Sequence, residues 1–143
     1  MDNNDCLKLE NQLCFPLYVC AKEVVKQYKP FLDKLDLTYT QYITMMALWD
    51  VKEINVKELG NKLYLDSGTL TPLLKKLESK GYLTRTRSKQ DERSLIIKIT
   101  DSGEALRSRA AEIPTKVGAC ICLSPEKKSA LREALNEILE KIT

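Results

Sequence analysis

VKELGNKLYLDSGTLTPLLKKLESKGYLTRTRSKQDERSLIIKIT, residues 56–100, decides the fold of this chain. Residues 56–63 have the pattern of a short helix. Residues 64–68 follow as a turn that offers Asp66 or Ser67 as a helix cap. Leu70, Leu73, Leu74 and Leu77 recur at helical spacing, and Lys80-Gly81 ends that second helix with glycine just past its last turn. Pro72 falls inside the pattern, so regular helix is expected to begin only near Gly68 and Thr69, or to be distorted there. Two short helices joined by a tight turn are a helix-turn-helix, whose second helix is the recognition helix. With the leucines turned inward, Ser67, Thr69, Thr71, Lys75, Lys76 and Ser79 are left facing outward. Hydroxyls and cations suit both phosphate oxygens and base edges.

Residues 82–88 come next. Leu83, Arg85 and Arg87 share one side of a two-residue period, which predicts a strand with an exposed basic face. Residues 94–100, SLIIKIT, are the stronger strand because they are rich in isoleucine. The polar stretch between them makes the pair a β-hairpin, a wing, with Lys89 and Arg93 at its tip. An arginine on such a tip suits the focused negative potential of a minor groove. Asp91 is expected to orient the Arg93 side chain through a charge-assisted bond. A plain surface hairpin with an exposed ion pair would account for the tip alone. The ordered series of helix, turn, helix and basic hairpin is the stronger signal.

Charge follows the same division. Residues 51–100 hold 11 basic and 6 acidic side chains, a net +5, while residues 1–50 carry −2 and residues 101–143 are neutral. A local basic block is the footprint of a polyanion partner, although a solvated charged face gives the same count.

Both flanks read as helices. Leu17, Ala21, Val24, Tyr28, Phe31 and Leu35 alternate at steps of four and three, with Pro16 in the first turn and Pro30 expected to kink the helix. Thr38 and Gln41 form a capping box for a second helix whose apolar face is Tyr39, Ile43, Met46 and Ala47, with Trp49 near its end. Beyond residue 100, Leu106, Ala110, Ile113, Val117 and Ile121 form one stripe, bent at Pro114. Ser124-Pro125 then opens a last helix bearing Leu131, Ala134, Leu135, Ile138, Leu139 and Ile142. Apolar stripes at both ends of so short a chain point to a dimer.

The 143 residues are 30% charged and 43% hydrophobic, ordinary for a soluble globular domain. The absence of histidine excludes a Ser-His-Asp triad, a Cys-His dyad, a HExxH zinc site and a C2H2 finger. The apolar run at residues 13–21 is too short to span a bilayer, and the acidic start is unlike a secretory signal. Cys6, Cys14, Cys20, Cys120 and Cys122 are odd in number and irregular in spacing, which fits reduced thiols in a cytoplasmic protein.

Residues 65–94, LDSGTLTPLLKKLESKGYLTRTRSKQDERS, strongly resemble the DNA-binding part of the MarR family of winged-helix regulators, whose wing signature is matched by Asp91-x-Arg93. Residues 7–42, LKLENQLCFPLYVCAKEVVKQYKPFLDKLDLTYTQY, resemble the organic-hydroperoxide-sensing branch of that family, the OhrR, SarZ and MgrA group, whose sensor cysteine falls within LENQLC. The resemblance is close over residues 7–100 and looser beyond. It implies a mostly α protein with a small β-hairpin wing: a single MarR-type domain over residues 1–143. In that scheme residues 8–50 and 101–143 are dimerisation helices and residues 51–100 the winged helix-turn-helix. It further implies a homodimer on pseudo-palindromic double-stranded DNA, acting as a repressor in the cytoplasm with no cofactor, no metal and no membrane partner. The DNA-facing residues would be Ser67, Thr69, Thr71, Lys75, Lys76, Arg85, Arg87, Lys89, Asp91 and Arg93.

Taken by itself, Cys14 reads first as a small buried hydrophobe in an apolar run. Its place near a helix start also favours the thiolate, the form that peroxides attack, and the nearby phenols are Tyr18, Tyr28 and Tyr39. The resemblance raises Cys14 to a redox sensor that accepts hydrogen bonds from two partner-subunit tyrosines at the positions of Tyr28 and Tyr39. Oxidation to sulfenate would open the dimer and release DNA. Pro16 departs from the apolar helix formers usual at its position in that branch. By the same resemblance, Cys120 or Cys122, both placed late in one helix, would resolve the sulfenate as an intersubunit disulfide, while Cys6 and Cys20 are bystanders. Two other readings compete. One is a MarR-type regulator released by a small aromatic effector with no redox sensing. The other is a thiol peroxidase, disfavoured by the lack of an evident base.

Overall fold

The computed structural model describes residues 4–143. The chain divides into two compact units, one reaching Ile113 and the other Pro114–Thr143. Two short 3-10 turns, Asp5–Leu7 and Leu9–Asn11, precede helix α1, Cys14–Leu32. Helix α2 is Tyr39–Val51, α3 is Val56–Leu63, α4 is Ser67–Ser79 and α5 is Asp101–Ala110. Strands β1 (Glu53–Asn55), β2 (Leu83–Arg87) and β3 (Leu95–Ile99) form an antiparallel sheet in the order β1-β3-β2. The fold is a winged helix-turn-helix entered through α1 and α2 and left through α5. No helix among the described residues is long and apolar enough to cross a membrane.

Helix α2 runs through the core. Its capping box forms as expected: the Thr38 hydroxyl accepts the Gln41 N–H at 3.3 Å and the Gln41 side-chain oxygen accepts the Thr38 N–H at 3.0 Å. Its buried residues lie nearly all round, and they correct the expected face. Met45 and Leu48 are fully buried, whereas Met46 is 44% exposed. Thr44 is buried too and satisfies its hydroxyl by donating to the Thr40 carbonyl at 2.8 Å.

Helices α3 and α4 follow the sequence closely. Asn55 caps α3 by accepting the Glu58 N–H at 2.8 Å, and Asp66 caps α4 by accepting the Thr69 N–H at 2.7 Å. Such caps contribute about 1 kcal/mol each. Leu70, Leu73, Leu74 and Leu77 are all buried, at about 1.5–3 kcal/mol per side chain. Helix α4 starts at Ser67 and continues through Pro72, one to two residues earlier than the proline alone suggests, because the Asp66 cap fixes its first turn. Gly81, at φ +80°, closes it: the Gly81 and Tyr82 N–H groups donate to the Glu78 and Leu77 carbonyls. Helix α1 likewise runs through Pro30 to Leu32.

The sheet corrects two readings. Strand β1 has no counterpart in the sequence reading, since three residues cannot display an alternation; it pairs with β3, Ile54 opposite Ile97. The Leu83, Arg85 and Arg87 side of β2 is not an exposed basic face. Leu83 and Arg85 pair with Ile99 and Ile97, so they lie on the face that packs inward. Leu83 is buried, Arg85 is half-buried, and only Arg87, nearest the tip, is exposed.

Helix α5 is pinned at its start. The Thr100 hydroxyl accepts the Gly103 N–H at 3.1 Å and donates to the Gly81 carbonyl at 2.5 Å, and the Thr100 N–H donates to the Tyr82 carbonyl at 3.1 Å. Gly103, Leu106 and Ala110 bury the inner face of α5.

The stripe expected beyond residue 100 is carried by two helices that break near the expected bend, and Leu106, Ala110, Ile113 and Val117 are buried while Ile121 is exposed. Helix α5 ends at Ala110, and α6, Ile113–Ile121, starts afresh with Pro114 in its first turn. Helix α7, Pro125–Ile142, is capped by Ser124, whose hydroxyl accepts the Lys127 N–H at 3.3 Å. No residue of α7 is buried, and Leu131, Leu135 and Ile142 are exposed. At the other end of the chain Leu13, Phe15 and Tyr18 are exposed as well.

Candidate nucleic-acid interface and thiol positions

Ser67, Thr69, Thr71, Lys75, Lys76 and Ser79 are all exposed on α4, opposite its buried leucines. The N-terminal turn presents three hydroxyls and the following turns two ammonium groups. The Ser79 hydroxyl is turned back onto its own helix, donating to the Lys76 carbonyl at 2.7 Å.

Lys89, Asp91 and Arg93 are exposed on the tip between β2 and β3. Asp91 organises that tip differently from expectation. Its carboxylate accepts the backbone N–H of Arg93 at 3.0 Å and its carbonyl accepts the Ser94 N–H at 2.9 Å. The aspartate therefore shapes the turn, and no ion pair among the described residues engages the Arg93 guanidinium. Arg87 donates to the Glu92 carbonyl at 2.9 Å and braces the tip from the strand side.

Arg85 stands apart from the other cations. Its Nε and Nη2 donate to Glu78 Oε1 at 3.2 and 3.1 Å, and its peptide N–H donates to Glu78 Oε2 at 3.0 Å. Sequence reasoning missed Glu78 because the pairing depends on the fold that returns β2 alongside α4.

Cys14 is the first residue of α1 and is exposed within a single chain, which corrects its reading as a buried hydrophobe. Tyr28 and Tyr39 come together, their rings 5.0 Å apart edge to face. Tyr42, which the sequence reading did not single out, completes the cluster at 5.8 Å from Tyr28 and 6.4 Å from Tyr39, and its other side meets Trp49 at 6.4 Å. Burial first, then the neighbouring Tyr39, pushes the Tyr28 phenol up. Burial, then Tyr28 and Tyr39, pushes Tyr42 up to about 12. These two phenols stay protonated, and so able to donate, throughout the physiological range.

Tyr18 is exposed on α1 and carries the Lys22 ammonium 5.4 Å above its ring. Cys6 and Cys20 are exposed, as are Cys120 and Cys122. Cys120 lies in the last turn of α6, its thiol 3.5 Å from the Lys116 carbonyl. Cys122 lies beyond the helix, contrary to its placement within it: φ is +50° and its thiol donates to the Ala119 carbonyl at 2.9 Å. Both thiols are turned back onto carbonyls of α6, those of Lys116 and Ala119.

Residues 26–109 match the transcriptional regulator family SarA/Rot. The organic hydroperoxide resistance transcriptional regulator of Bacillus subtilis (strain 168) is 48% identical over 143 residues, covering 99% of this chain and 97% of its own. The HTH-type transcriptional regulator SarZ of Staphylococcus aureus (strain USA300) is 47% identical over 133 residues, covering 93% and 90%. Among solved structures, reduced AbfR bound to DNA, a Staphylococcus epidermidis protein, matches with TM-score 0.81 at 32% identity and covers 97% of each chain. Its disulfide-formed state matches with TM-score 0.66 at 32% identity, covering 95% of this chain and 96% of that one. With the helix-turn-helix and wing in place and the likeness running along nearly the whole chain, this chain belongs to the SarA/Rot family of transcriptional regulators, proteins of the MarR-like winged-helix type.

Proposed function

We propose that this regulator is a cytoplasmic repressor that binds a pseudo-palindromic duplex as a homodimer and releases it when organic hydroperoxide oxidises Cys14. The observation that carries DNA binding is the exposed hydroxyl and ammonium face of α4 beside a wing tip bearing Lys89 and Arg93. The net +5 of residues 51–100 supplies the attraction to phosphate. Exposed apolar side chains on the first turns of α1 and along α7 favour a second copy as their cover.

The Cys14 thiolate attacks the terminal peroxide oxygen, the O–O bond breaks, and the thiolate becomes a sulfenic acid while the alkoxide takes a proton and leaves as an alcohol. A second thiol, Cys120 or Cys122 of the partner subunit, then displaces water to form a disulfide. Tyr28 and Tyr39 lie together with their hydroxyls available to stabilise the partner's thiolate. The similarity to a hydroperoxide-resistance regulator and to a protein seen both reduced on DNA and disulfide-formed supports this reading.

A cleft of about 280 Å³ lined by Val25, Leu32, Leu37 and Tyr39, with Lys29 paired to Asp33 and Lys26 to Glu23 at its rim, favours a small aromatic effector as the second reading. DNA binding by reduced and hydroperoxide-treated protein, in the wild type and in Cys14→Ser, tests the two. Release that requires Cys14 supports the sensor; oxidant-independent release by a small aromatic acid from both proteins supports the effector.

A further inference from the structure

We propose that Glu78 and Arg85 form a strut that sets the wing against the recognition helix, and that Arg85 serves DNA binding through Glu78 rather than through a phosphate. The inference rests on the DNA-binding reading above. Both Glu78 carboxylate oxygens are used, one by the guanidinium and one by the Arg85 peptide N–H. The second bond matters most, because it ties the backbone of β2, not only a flexible side chain, to α4. Arg85 is opposite the fully buried Ile97, so its side chain runs along the inner face of the sheet. Glu78 sits in the last turn of α4, where the helix field disfavours a carboxylate, and the guanidinium offsets that cost.

The strut lies at the base of a lever. Three residues of extended strand carry the chain about 10 Å from Arg85 to the tip. A tilt of about 10° at the base then moves Lys89 and Arg93 by about 2 Å, enough to break a direct hydrogen bond. Arg85 is a positioning residue in this scheme, and the wing-tip cations make the contact.

The sign of one substitution separates the strut from a charge effect. Glu78→Gln removes a negative charge beside the DNA-facing surface, so simple electrostatics requires tighter binding. The strut requires weaker binding. Glu78→Asp keeps the charge and withdraws the carboxylate by one methylene, so it must also weaken binding; it decides the matter if the glutamine variant fails to fold.

The experiment measures operator affinity against salt, and hydroxyl-radical footprints, for the wild type, Glu78→Gln, Glu78→Asp, Arg85→Gln and the double glutamine variant. Urea unfolding of each confirms a folded protein. The expected result is a loss of about tenfold in each single variant and no greater loss in the double, since the two residues act as one unit. The glutamine variants should also share one change in salt slope and lose the same wing protections while keeping those of the recognition helix. Unchanged or tighter binding by folded Glu78 variants overturns the strut. So does a slope reduced by about 0.9 in Arg85→Gln alone, the mark of a direct phosphate contact. Both outcomes leave the DNA-binding reading standing, whereas a wild-type protein without salt-dependent binding overturns that reading and the strut with it.

Discussion

Trp49 donates its indole N–H to the carbonyl of Gly103 at 2.8 Å, across 54 residues of sequence. The bond joins the end of α2 to the first turn of α5, and the residue it reaches has no room to change. A Cβ on Gly103 would lie 2.1 Å from the Tyr82 carbonyl oxygen and 2.8 Å from Ile99 Cγ1. Tyr82 in turn follows the Gly81 turn that ends α4. The tyrosine cluster, α5 and the base of the recognition helix therefore meet at one tight backbone crossing.

Gly103→Ala should destabilise the protein by about 3 kcal/mol, the upper end of the cost of overpacking, because the obstruction is backbone and cannot rotate away. Trp49→Phe should cost less, on the order of 1–2 kcal/mol, for one lost hydrogen bond and some packing. Urea unfolding of the two variants checks both the size and the order; an alanine variant as stable as the wild type contradicts the crossing.

DNA binding should weaken steeply with salt, since each phosphate neutralised adds about −0.9 to the log–log slope. Two wings and two recognition helices in a dimer should meet half-sites about 34 Å apart. Arg93→Ala should lower affinity strongly, while Thr69→Ala or Thr71→Ala should shift sequence preference more than salt slope. Leu135→Glu, on the exposed face of α7, should reduce dimer and DNA binding together, read by sedimentation and by titration of a labelled duplex.

Much of this architecture is legible because it is local. The four leucines of α4 repeat at the helical period, and caps such as Thr38 and Ser124 announce themselves by residue type. What escapes is set by distant segments. Helix α2 is buried almost all round, so its sequence cannot say that Met45 rather than Met46 faces the core. Strand β1 exists only because β3 supplies a free edge. The Arg85 side chain turns inward because of strand register and Glu78, neither visible in an alternating pattern. Asp91 takes the backbone N–H of Arg93 instead of the expected guanidinium, since in the tip turn that amide lies within reach of the carboxylate.

Stability should fall at high pH. Tyr42 has its folded value raised from 10.0 to about 12, so it favours the native state below pH 10 and loses that contribution as pH rises toward 12. The shift corresponds to at most about 3 kcal/mol. Tyr28 shifts in the same direction. Tyr42→Phe should flatten the stability profile across this window relative to the wild type. Denaturant unfolding at stepped pH, with phenolate absorbance, measures it; identical slopes would remove Tyr42 as the source.

The switch is tested at Cys14. The residue heads α1 and is exposed in a single chain, so a partner subunit can cover it and supply phenols to it. Tyr28 and Tyr39 are already in ring contact, and burial keeps Tyr28 protonated, so a hydroxyl is available as a donor to a thiolate. Cys14→Ser should keep DNA binding and lose the response to hydroperoxide. Tyr28→Phe and Tyr39→Phe should each slow oxidation of Cys14, by about tenfold if a full hydrogen bond to the charged sulfur is lost. Cys120 and Cys122 follow different backbone courses, so only one of the two should matter for the covalent step. Substituting that one should abolish the disulfide-linked dimer on non-reducing gels while mass spectrometry still detects sulfenate at Cys14. A Cys14→Ser protein that still leaves DNA on oxidation would move the sensor to another thiol. Unchanged oxidation rates in both phenylalanine variants would remove the tyrosines from the mechanism.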